Sequence, residues 1–179
     1  ENNLVTIKKN LEQKNINVIW QHLHTSGFPY RIVNRLNTVK IEFDETVIDI
    51  QNLNIIYQPW NIKHIIIKVL DNVNISNNDN KIIIYPEILA SLIINKSEQK
   101  RLSIITNKIT VNNKGLIHKL VEPELYFKEN MNNDLQFVIK AKEFIYKPVF
   151  IKNNLITNLN MTGKLINYKG ININNFYKW

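Results

Sequence analysis

The sequence predicts a mainly β protein: a curved antiparallel sheet, shaped as a half-barrel, a trough or a sandwich, with one short helix at its N-terminus. Three observations carry this. From Ile16 onward apolar residues recur with a period of two, as in "TVKIEFD", where Val39, Ile41 and Phe43 alternate with Lys40, Glu42 and Asp44. Segments of this kind follow one another at roughly 8–12 residue spacing, separated by short Asn-rich turns. Nowhere does strand alternate with helix in the βαβ manner, which argues against a doubly wound sheet. A sheet with one apolar face must cover that face. With few helical residues to do so, this one has to fold over itself, close, or curl around an apolar ligand.

Residues 1–14 are the helix candidate. Leu4, Ile7, Lys8 and Leu11 fall at i, i+3, i+4 and i+7, and Asn2 or Asn3 can cap the start. The chain starts at Glu1 rather than methionine, so this amphipathic segment either continues an upstream anchor or signal, or covers one edge of the sheet. In "INVIWQHLH" the alternation places Ile16, Val18 and Trp20 on one face together with His22 and His24. "VIDIQNLNIIY" continues in the same style, and the β-branched run of "WNIKHIIIKVL" suggests burial on both faces. The turn at 74–81 leads into "IIIYPEILASLII". There Pro86 could open a helix, but the clearly strand-like "RLSIITNKITV" beyond the polar "KSEQK" favours a hairpin. "LIHKLVE", "ELYFK", "LQFVIKA" and "FIYKPVFI" follow as short strands. "NLITNLNMTGKLINY" then alternates Leu155, Thr157, Leu159, Met161, Gly163 and Leu165 on one face, and "GININNFYKW" reads as a last strand.

At 179 residues the chain is read as one domain, 1–179, with room for a sizeable core. About a third of it is Asn or Ile, a bias towards A/T-rich codons. It has no cysteine, which removes disulfides, thiolate metal sites and cysteine nucleophiles. The net charge of +8 favours anionic partners, yet the lysines are scattered rather than gathered on one stripe, which argues against nucleic acid.

Little in the sequence carries chemistry. His22 and His24 could chelate a metal from one strand face, but no third ligand has a matching spacing, so neither metal nor cofactor is expected. Four scattered glycines cannot form a phosphate loop, and none of the serines sits in a nucleophile elbow. The acids Asp44–Glu45 and Glu122–Glu124 read as strand-end residues. The reading is therefore noncatalytic. Aromatic residues in or beside strands, Trp20, Phe28, Tyr30, Tyr57 and Trp60, are the candidates for lining an apolar site, and core packing explains them equally well.

The compact turn "TSGFPYR" is the sharpest local motif. Gly27 permits a backbone turn that other residues resist, Pro29 restricts Phe28 to extended geometry, and Tyr30 and Arg31 follow. With Gly27, Phe28, Pro29, Tyr30 and Arg31 in place, and with Ala90-Ser91-Leu92 followed by Arg101-Leu102-Ser103, the sequence resembles the proteobacterial family known as domain of unknown function 2125. The resemblance implies an N-terminal anchor or signal and a periplasmic body, either exported or held at the inner membrane of a Gram-negative bacterium. It also implies a curved β-sheet like those of AsmA-type envelope proteins. The expected function is to bind or guide a lipid-like apolar molecule, with a membrane surface or an envelope protein as further partners. The alternative is an envelope scaffold with a filled core.

Overall fold

A computed structural model describes residues 2–78, 80–94, 100–130, 134–146 and 154–166. Helix α1 (Asn2–Glu12) is followed by fourteen strands in one antiparallel sheet. These are β1 (Ile16–Ile19), β2 (His22–Ser26), β3 (Ile32–Phe43), β4 (Thr46–Gln58), β5 (Asn61–Val69), β6 (Val73–Asn77) and β7 (Asn80–Ile84). They continue as β8 (Ile88–Ile94), β9 (Lys100–Ile105), β10 (Lys108–Asn113), β11 (Leu116–Val121), β12 (Glu124–Glu129), β13 (Leu135–Tyr146) and β14 (Asn154–Leu165). The expected mainly β fold with a short N-terminal helix is thus the one observed. The last expected strand, 170–179, lies outside the described residues.

The fourteen strands amount to nine traverses of one sheet. One side of β4 pairs with β3 along nearly its whole length, whereas the other side is shared end to end by β6, against Thr46–Ile50, and β5, against Leu53–Gln58. At the far side β13 likewise carries β14 on one edge and divides the other between β12 and β11. Between them, β5 with β6, β7 with β8, β9 with β10 and β11 with β12 are each one long strand broken in the middle. The breaks line up from strand to strand and form a crease running across the sheet. Hydrogen bonds hold it closed: Tyr85 N donates to Lys108 O at 2.9 Å, Glu122 N to Asn107 O at 2.8 Å and Gln21 N to Asn37 O at 3.1 Å.

The crease is built from backbone geometry. Thr38, Glu87, Glu122 and Asn158 lie on it with φ between 45° and 70°, at 51°, 67°, 47° and 53°. A left-handed residue inserted in a strand bends it and breaks the two-residue period. In β3 the inward residues are therefore Leu36 and Val39, three apart, and in β4 they are Ile50 and Leu53. Side chains satisfy polar groups along the same line: Asn52 Nδ2 donates to Asp71 Oδ2 at 2.6 Å, Asn107 Nδ2 to Glu87 Oε2 at 3.1 Å and Thr106 Oγ1 to the Tyr85 carbonyl at 2.7 Å.

The core sits in this crease. Leu36, Val69 and Ile88 on one half and Val39, Ile50 and Val73 on the other form the buried cluster, each at most 9 % exposed. Burial on one face that peaks at the crease makes this face the inside of the bend. Two expectations of facing, for His22 with His24 and for Leu155, are corrected here. The break at Trp20 and Gln21 turns His22 and His24 away from the face of Val18 and Trp20, and leaves both histidines exposed. The run before Val69 is half-buried on both faces: Ile67 packs on the cluster, and Ile66, on the opposite face, is half-buried as well. In β14, Asn158 shifts the period, so that Leu159, Met161, Gly163 and Leu165 align with Ala141, Ile139, Phe137 and Leu135 while Leu155 is 58 % exposed.

Candidate ligand-binding surfaces

Register converts the alternation of single strands into continuous apolar rows on the inner face. Cross-strand neighbours in one row are Ile55, Ile67, Ala90, Ile104, Leu125, Ile139 and Met161. The next row runs Ile32, Tyr57, Ile65, Leu92, Leu102, Phe127, Phe137 and Gly163. On the other side of the crease lie Val39, Ile50, Val73, Ile84, Ile109, Leu120, Phe144 and Ile156. Most of these side chains are only half-buried away from the crease. Gly163 belongs to the surface because a Cβ there would overlap the Phe137 ring, which lies across it.

The aromatic candidates separate into two groups. Trp20 packs against the crease cluster, with Lys8 Nζ of α1 5.2 Å from its ring centroid, and Tyr57 stands half-buried between Ile32 and Ile65. Phe28, Tyr30 and Trp60 stand out into solvent instead, 81 %, 78 % and 66 % exposed. Loop 27–31 joins β2 to β3 and the two-residue turn Pro59-Trp60 joins β4 to β5, so all three project from the same end of neighbouring strands. Gly27, at φ 89°, turns that loop so tightly that a Cβ would come within 2.8 Å of the Arg31 carbonyl oxygen. Arg31 N donates back to the Gly27 carbonyl at 3.1 Å, which closes the loop.

The opposite face holds a cavity of about 390 Å³ that sequence reasoning missed. The small cross-strand pair Ser91 and Ser103 forms its floor, Tyr126 and Val138 continue that row, and Arg101 and Lys128 face each other in the next. Tyr126 Oη donates to Glu124 Oε2 at 2.9 Å, and that hydrogen bond, with burial second, raises the phenol above its ordinary range. His64 Nε2 lies 3.0 Å from Ser91 Oγ. A nucleophile also needs a backbone donor for the oxyanion, but β8, which carries Ser91, is paired on both sides, and the contact reads as a cross-strand hydrogen bond. Among the described residues no group of three metal-ligating side chains converges. A second depression, at the crease, is polar, and Lys142 there meets Glu122 at 3.1 Å.

No family model, no curated protein and no solved structure matches this chain. Its function therefore has to be read from these surfaces.

Proposed function

We propose that the protein is a noncatalytic component of a bacterial cell envelope whose bent sheet binds or guides a lipid-like apolar molecule along its inner face. The observation that carries this is the unbroken row from Ile55 to Met161, seven apolar side chains in register across seven traverses. Most of these side chains are already half-buried, so covering one contributes less than the roughly 1.5–3 kcal/mol of a full Ile or Leu burial, and binding draws on the row as a whole rather than on any one residue. The Gly27–Arg31 loop and its likeness to the proteobacterial envelope family support the compartment. The test is native mass spectrometry of the purified protein with organic extraction of bound lipid. A stoichiometric lipid, or uptake of cis-parinaric acid lost in Leu125→Asp at unchanged secondary structure, is the expected result. An apo mass with no uptake overturns it.

A second reading is favoured by one feature. The outer edge of β14 has no strand partner among the described residues, and an unpaired edge can accept a strand from another protein. Apo protein that gains strand content with a partner peptide would support that scaffold role instead.

A further inference from the structure

We propose that the end of the sheet formed by loop 27–31 and the Pro59-Trp60 turn docks on an anionic lipid bilayer. Four large apolar side chains stand out there: Phe28 at 81 %, Tyr30 at 78 %, Trp60 at 66 % and Ile62 at 64 % exposure. Surface apolar residues are common singly; three on adjoining turns and a fourth at the start of β5 make a patch that calls for a partner. Register places them together. Ser26 pairs with Val33 and Ile32 with Tyr57, and Gln58 pairs with Asn61 across the turn, so the loop and the turn leave neighbouring strands side by side.

Charge selects the partner. From residue 13 to 41 and from 50 to 70, the segments that build this end, the sequence has no Asp or Glu, whereas Arg31, Arg35, Lys63 and Lys68 lie in them. At the opposite end of the same strands the turn is Asp44-Glu45. The strand axis thus runs from an acidic end to a basic, aromatic one. Tyr and Trp suit the boundary between headgroups and acyl chains, where the ring is apolar and its polar atom stays wet. Arg31, in the loop, and Lys63, just past the turn, suit phosphate-bearing headgroups. A protein partner would more often meet a mixed-charge rim. The inference does not depend on a ligand in the inner face.

The test is co-sedimentation of the protein with phosphatidylcholine vesicles made with and without phosphatidylglycerol. Binding is expected to the anionic vesicles and to be weakened by salt. The combined Phe28→Ser, Trp60→Ser and Ile62→Ser variant should lose at least about tenfold in partitioning, and Arg31→Gln or Lys63→Gln about fivefold each. Thermal unfolding should stay at the wild-type temperature, because each replaced side chain is mostly exposed. With Trp20→Phe and Trp179→Phe leaving Trp60 as the reporter, brominated lipid should quench its fluorescence. Three results overturn the proposal: no binding to anionic vesicles, binding that survives the triple serine variant, or a wild-type dimer dispersed by that variant in sedimentation without vesicle binding. Absence of copurified lipid would leave the docking result standing, so the two proposals fail separately.

Discussion

Single residues show where packing leaves no slack. Gly163 exists to admit the Phe137 ring from the neighbouring strand, so Gly163→Ala should destabilise by about 1–3 kcal/mol in urea denaturation, and the loss should shrink in a Phe137→Ala background. Tyr126 offers a test by titration. Its hydrogen bond to Glu124 favours the neutral phenol in the folded state, so its contribution to stability is present below the ordinary phenol range and fades as pH rises through the raised value. A Tyr126→Phe difference titration should identify it as late-titrating, and Glu124→Ala should bring it back towards an ordinary phenol. Neither feature was legible in the sequence. Gly163 read as one more member of an alternating row, and the partner of Tyr126 could have been named only by knowing that the strand leaves Glu124 on the same face two residues away.

At the level of elements, alternation revealed nearly every strand and the antiparallel pairing of β8 with β9, because each strand buries one face and the period of two follows directly from that. The crease was hidden for a physical reason. Its left-handed positions are Thr38, Glu87, Glu122 and Asn158 rather than glycines, so nothing in the local sequence announced the shift of period that turned Leu155 to another face, and the break at Trp20 and Gln21 that turned His22 and His24 was equally unmarked. Thr38, β-branched at φ 51°, is the most strained. Relief of about 1–2 kcal/mol against a glycine entropy cost of about 0.5–1 kcal/mol predicts that Thr38→Gly stabilises by up to about 1.5 kcal/mol in chemical denaturation. Ile50→Ala, which empties the buried cluster beside it, should cost about 2–5 kcal/mol. The same distinction governs the candidate surfaces. The aromatic residues were visible as types, but whether Trp60 stands beside Phe28 or beside Tyr57 depends on long-range register and turn direction.

For the whole molecule, the sheet has, among the described residues, one outer edge at β1 and β2, another at β14, and one bent apolar face, and the two proposals use different parts of it. Lipid found on the purified protein assigns the inner face; vesicle binding lost with Trp60 and Phe28 assigns the end of the strands. The meander also acts as a ruler. The apolar rows cross seven or eight traverses spaced by about 4.8 Å, which makes them about 29–34 Å long. One leaflet contributes only about half of a hydrocarbon core of about 30 Å, so a single acyl tail laid across the strands would occupy about half the track. The remaining length would hold a second tail end to end with the first, and the number of traverses, rather than any one side chain, would set how many molecules queue along it.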